Sequence, residues 1–91
     1  MTLANTRVLI TGGGGYLGSQ VVARLAALPD GERPLTIVSH DLREPASRLP
    51  HVDYLACDIR APRLAEAVAQ HRIDVVVDRK TSCRERVYVL V

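Results

Sequence analysis

Four consecutive glycines, Gly12, Gly13, Gly14 and Gly15, stand between an apolar run and an amphipathic one in the stretch RVLITGGGGYLGSQ, residues 7–20. The order predicts a strand, a glycine turn and a helix. Gly12, Gly15 and Gly18 are spaced three apart, and each has a physical use where a pyrophosphate lies against a helix start. Gly12 lets the chain leave the strand sharply, at positive φ. Gly15 removes a Cβ where phosphates approach the backbone, and Gly18 lets the helix pack closely on the strand. Unsatisfied N–H groups of the first helical turn, at the positive end of the helix dipole, then face the anion. The stretch predicts a dinucleotide cradle.

A chain of 91 residues makes one small domain with a thin stability margin. Apolar residues are 47% of it, yet Trp and Phe are absent, so the core is expected to be aliphatic. The first residues lack the basic start and apolar run of a signal sequence, and no stretch nears the roughly 20 apolar residues of a membrane span. A cytoplasmic location with no membrane partner is the expectation. Cys57 and Cys83 show neither disulfide-framework nor metal spacing and read as free thiols. His40, His51 and His71 are scattered, so no metal site is expected.

Strands and helices then alternate. Residues 7–11 form the first strand, and Leu17, Val21, Val22, Leu25 and Leu28 make the buried stripe of a helix that starts near Gly15. Pro29, Asp30 and Gly31 end that helix. Residues 35–39 are a β-branched second strand leading into His40 and Asp41, and residues 42–50, with two prolines, read as a loop. A weaker third strand spans 51–56. Pro62 opens a second helix reaching about His71, and residues 73–77 are a fourth, continuously apolar strand of the kind covered on both faces. These are βαβ units, with an expected sheet order 3-2-1-4 and one helix on each face.

Thr11-Gly12-Gly13-Gly14-Gly15-Tyr16-Leu17-Gly18 resembles the TGGxGFxG signature of the extended short-chain dehydrogenase/reductases, in particular their NAD-dependent epimerase/dehydratase branch, with Tyr16 in place of Phe. Asp41 after the second strand, Asp58-Ile59 after the third and Asp74-Val75-Val76-Val77 as the fourth extend the resemblance over residues 7–77. It implies an α/β partial Rossmann fold and a dinucleotide site built from Gly12, Gly13, Gly15, Tyr16, Leu17, Gly18, Asp41, Arg43, Asp58 and Ile59. A carboxylate at Asp41 can accept both adenosine ribose hydroxyls and repels a 2′-phosphate, which favours NAD over NADP, although Arg43 offers a phosphate a partner. Asp58 and Ile59 would flank the adenine. The plainer alternatives are a solvated loop acid for Asp41 and a helix cap for Asp58.

The resembled family carries its chemistry on a Tyr and a Lys four residues later, well beyond the fourth strand. Tyr16 and Tyr54 have no such Lys, and Tyr88 is followed by only three residues. No catalytic residue is therefore expected here, and the chain reads as the adenosine half of a nucleotide-binding domain, inactive alone. Charge changes at Asp78: residues 1–77 hold eight Arg against eight acids, whereas 78–91 hold four basic residues, including the only Lys, against two acidic ones. Where the family continues with His-Leu-Ala, residues 78–87 resemble the translation of a short-read sequencing adapter with a single-base slip. Residues 1–77 are thus expected to be the N-terminal half of an NAD(P)-binding domain and 78–91 a read-through tail, the natural protein continuing as a full-length enzyme. The structural alternative for the tail is a fifth strand over 87–91, whose exposed apolar edge would favour aggregation.

Two function classes follow. The first is the NAD-binding fragment of an epimerase, dehydratase or dehydrogenase acting on a nucleotide-sugar or similar hydroxylated small molecule, the substrate and a homodimer interface belonging to the full-length protein. The second is a non-catalytic nucleotide-binding module or sensor. Nucleic-acid binding is disfavoured, because the excess positive charge is confined to the tail and has no aromatic platform beside it.

Overall fold

The computed structural model of the chain describes residues 4–43, 45, 47–58, 60–79 and 85–89. The elements run β1 (Arg7–Thr11), α1 (Tyr16–Ala26), β2 (Thr36–Asp41), β3 (Asp53–Ala56), α2 (Pro62–Gln70), β4 (Val75–Arg79) and β5 (Glu85–Val89). They form one sheet in the order β3-β2-β1-β4-β5. The first four strands are parallel, so the expected 3-2-1-4 α/β architecture is present. β5 adds to it, pairing antiparallel with β4 in a register that sets Val75 opposite Val89 and Arg79 opposite Glu85. It begins two residues before the strand expected at 87–91. Residues 80–84 separate the two strands, a span short enough for antiparallel but not parallel pairing.

β1 lies in the middle and is buried from Val8 to Thr11. Its side chains alternate between two cores, as a strand covered on both faces requires. Val8 and Ile10 join Ile37 and Val22 on the α1 face, with Val21 and Leu25 packed against them. Leu9 joins Val38 and Ile73 on the opposite face, with Leu64 and Val68 of α2 packed against them. Burying each such side chain contributes about 1.5–3 kcal/mol, so this central aliphatic layer dominates the stability. Among the described residues, no helix is long and apolar enough to cross a membrane.

Local chemistry sets the element ends. Gly15 is the N-cap of α1 and offers no side-chain cap. At the other end, the Arg33 guanidinium donates to the Leu28 carbonyl and pairs with Asp30, closing the turn that returns the chain to β2. Between β2 and β3, Tyr54 organises the loop: its hydroxyl accepts the Leu49 N–H at 2.8 Å, and the Arg48 guanidinium lies 5.3 Å from its ring centroid. β4 starts beside β1, where Asp74 Oδ2 accepts the Arg7 N–H at 3.0 Å.

Candidate functional site

The carboxyl ends of β1 and β2 meet the amino end of α1, beside the point where strand order reverses between β1 and β4. Crevices at such positions are where open α/β sheets take their ligands. Gly12 has φ +68°, the positive value expected from its place at the end of β1. The turn is closed by Gly15 N–H to the Gly12 carbonyl at 3.0 Å and tied to β2 by Gly13 N–H to the His40 carbonyl at 2.8 Å. Helix α1 approaches so closely that a Cβ on Gly18 would stand 2.2 Å from the Gly12 carbonyl oxygen and 3.1 Å from Gly13 Cα. The close approach is thus to the glycine turn rather than to the strand itself.

The N–H groups of Gly13, Gly14 and Gly15 are engaged within the protein, whereas those of Tyr16, Leu17 and Gly18 find no backbone acceptor among the described residues. They are the first three donors of α1, with no side-chain cap to satisfy them and Tyr16 itself 75% exposed. At Tyr16 and Leu17, outside the buried Gly18, this end of the helix presents oriented donors and positive potential to solvent, the requirement for holding a pyrophosphate.

A cavity of about 490 Å³ adjoins the turn, lined by Gly13, Gly14, Ser39, Asp41, Arg43 and Tyr54 among others. Asp41 ends β2 instead of following it. Its Oδ2 accepts the Gly14 N–H at 2.8 Å and its Oδ1 accepts its neighbour Leu42 N–H at 2.7 Å, so the carboxylate is fixed at the cavity rim. Arg43 lines the same cavity. Gly14, Ser39 and Tyr54 were not singled out from the sequence. Ser39 was within reach, since it lies two residues before Asp41 and so on the same strand face. Its partner Tyr54 depends on the register of β2 against β3, which no local pattern specifies.

Asp58 stands apart from that cavity. Its Oδ1 accepts the Arg60 N–H at 2.8 Å, with the Arg60 Nε 3.5 Å away, and this hydrogen bond, assisted by the guanidinium charge, holds the carboxyl below its ordinary range. The N-cap of α2 is Ala61, so Asp58 folds the preceding turn and does not cap the helix. Ile59 lies outside the described residues, as does Cys83; Cys57 is a free thiol.

A family model described as the NAD dependent epimerase/dehydratase family matches residues 8–86. The chain belongs to that family. No curated protein matches it. Among solved structures, it is similar to the crystal structure of L-threonine dehydrogenase from Phytophthora infestans, with a TM-score of 0.62 and 25% identity over 82% of this chain. The chain spans only 23% of the length of that enzyme. Membership of the epimerase/dehydratase family, together with this dehydrogenase neighbour, supports a nicotinamide dinucleotide as the cofactor, and the cradle accords with it: donors for an anion at α1, a turn with Gly12 at positive φ and no room for a Cβ on Gly18, and a carboxylate at the end of β2.

Proposed function

We infer that this chain supplies the adenosine and pyrophosphate half of the cofactor site of an NAD-dependent oxidoreductase of epimerase, dehydratase or dehydrogenase type. The observation that carries the reading is the fixed Asp41 carboxylate beside the glycine turn, in one cavity with it. Tyr16 and Leu17 N–H groups would hold the pyrophosphate, with Gly12, Gly13 and Gly15 shaping the turn beneath it. Each Asp41 oxygen uses one lone pair on a backbone N–H and keeps another for a ribose hydroxyl. A 2′-phosphate would meet that negative charge, which favours NAD over NADP despite Arg43. By the family resemblance, Asp58, whose Oδ2 is not used by Arg60, and Ile59 would flank an adenine reaching past the cavity lined by Asp41.

When bound, the nicotinamide exchanges hydride with a substrate carbon. No Tyr of this sequence has a Lys four residues on, so these residues position the cofactor and leave the proton transfer to residues outside them. The substrate class is a hydroxylated small molecule, a nucleotide-sugar or a compound like the threonine of the dehydrogenase neighbour. Residues 78–91 are read as a foreign tail; a long read of the coding DNA through the Val77 codon should continue into His-Leu-Ala and later a Tyr-x-x-x-Lys. Confirmation of residues 78–91 and a stop codon would refute that reading.

Calorimetric titration tests the cofactor assignment. NAD should bind the chain more tightly than NADP, and Asp41→Ala should weaken NAD about tenfold, the worth of a hydrogen bond to a charged group. Equal NAD binding by both forms would remove Asp41 from the ribose site.

A further inference from the structure

β2 and β3 are parallel neighbours, and among the described residues the connection between them carries no helix. Whatever holds that connection in place must do so without helical packing. Tyr54 does so. In the strand register it stands beside Ser39 and shares that residue's face of the sheet. Its hydroxyl accepts the Leu49 N–H at 2.8 Å, and the Arg48 guanidinium lies 5.3 Å from its ring centroid, so two consecutive residues of the connection are fastened to one side chain of β3. Tyr54 also lines two cavities of this region. The larger, of about 490 Å³, has Leu42, Arg43 and Pro45 in its wall; the smaller, of about 240 Å³, is lined by Pro45, Ser47 and Leu49 together with Ser19 and Val22 of α1. The connection is therefore held away from α1 as a wall, fastened at Tyr54.

We propose that Tyr54 is a positioning residue for the cofactor: its hydroxyl latches the connection through the Leu49 N–H and so keeps the wall of the larger cavity in the place that the adenosine end needs. This rests on the proposed reading of that cavity as the adenosine site. The latch acts on a main-chain donor, so it depends on the hydroxyl at position 54 and not on the side chain at 49. Phenylalanine at 54 keeps the ring beside Arg48 and loses only the acceptor. The connection then opens more often, and a ligand that needs it closed binds more weakly by the fraction of closed molecules lost. The coupling is reciprocal: whatever the closed latch adds to NAD affinity, bound NAD adds to closure of the latch. A latch that serves the fold alone is indifferent to NAD.

The experiment combines calorimetric titration with NAD and amide exchange by NMR on the full chain and its Tyr54→Phe form. Tyr54→Phe should speed exchange of the Leu49 N–H and lower NAD affinity, each about fivefold, the worth of one neutral hydrogen bond, while the amides of Val8, Leu9 and Ile10 stay as they were. In the unsubstituted chain, saturating NAD should slow Leu49 exchange by about the same factor, and in Tyr54→Phe that protection should vanish, because no acceptor is left to close upon. Unchanged NAD affinity or unchanged Leu49 exchange in Tyr54→Phe would overturn the role of Tyr54. So would Leu49 exchange that is indifferent to NAD in the unsubstituted chain, which decides the matter even if the variant fails to fold, or NAD protection that persists in Tyr54→Phe, which would mean that the ligand covers Leu49 directly. Failure of the unsubstituted chain to bind NAD would overturn the cofactor reading and this inference with it.

Discussion

Gly18 lies so close to the Gly12 carbonyl that an added Cβ would stand 2.2 Å from the oxygen and 2.9 Å from the carbon. The obstacle is backbone, held by the Gly15 N–H bond to the same carbonyl, so no side-chain rotation relieves it. Alanine is favoured over glycine in a helix by about 1 kcal/mol, but forcing α1 away from the turn costs about 1–3 kcal/mol and disturbs the core at Val22, one helical turn along. The clash should win. Gly18→Ala is expected to lower the urea midpoint, with a net loss of up to about 2 kcal/mol. An unchanged or raised midpoint would mean that α1 is free to shift.

His40 makes the corresponding link between β2 and β3. The residue is 3% exposed, and Nε2 lies 2.8 Å from the Cys57 carbonyl oxygen. A carbonyl only accepts, so in the neutral ring Nε2 carries the proton and the buried Nδ1, without a partner among the described residues, is the bare nitrogen. His40→Ala should cost about 2–4 kcal/mol in denaturant unfolding, combining a cavity with a carbonyl stripped of its donor. His40→Leu refills most of the volume but not the bond and should recover part of that loss. Equal losses in the two variants would assign the whole effect to the hydrogen bond.

The parts of this molecule legible in the sequence are those whose signal is local. The apolar run of β1 ends at Thr11, as read, because Gly12 takes a backbone conformation that strands do not. Val21, Val22 and Leu25 of the expected α1 stripe, and the strand order, followed from helical spacing and from βαβ connectivity, whereas Leu28 lies beyond the end of α1 at Ala26. What escaped depends on distant pairing. That the Asp41 carboxylate rests on Gly14 N–H, 27 residues away, and that Ser39 pairs with Tyr54 are consequences of the register of three strands, and no residue type at either position announces them. Asp58 was legible as an acid near a helix start, but its carboxylate accepts the Arg60 N–H in the turn before α2, and α2 has no side-chain cap.

β5 protects the outer edge of β4. Its register places Val89 opposite Val75 and Val87 opposite Val77, the two β4 residues packed against the α1 core. A chain ending after Arg79 leaves the β4 edge unpaired on that side, and edge amides open locally with little free energy. Amide exchange measured by NMR at Val75, Val76 and Val77 should accelerate at least about tenfold on truncation, while Val8, Leu9 and Ile10 change far less. Equal exchange of β4 in both chains would mean that β5 adds no protection in solution.

Asp58 gives the site a pH signature whose direction follows from its hydrogen bond. The Arg60 N–H, first, and the guanidinium charge, second in effect among the favourable interactions, stabilise the ionised carboxyl and lower its pKa on folding. A depressed folded pKa adds stability that is present above the unfolded value, about 3.9, and is lost as pH falls through the folded one. Carbon-13 titration should therefore place the Asp58 midpoint below about 3.9, and Asp58→Asn should flatten the acid limb of stability against pH without altering its alkaline limb. Because the main cause is a backbone donor, Arg60→Ala should retain most of the depression. A midpoint restored to the ordinary value in Arg60→Ala would instead make the guanidinium the cause. The depression would then fade with added salt, as exposed charge pairs do.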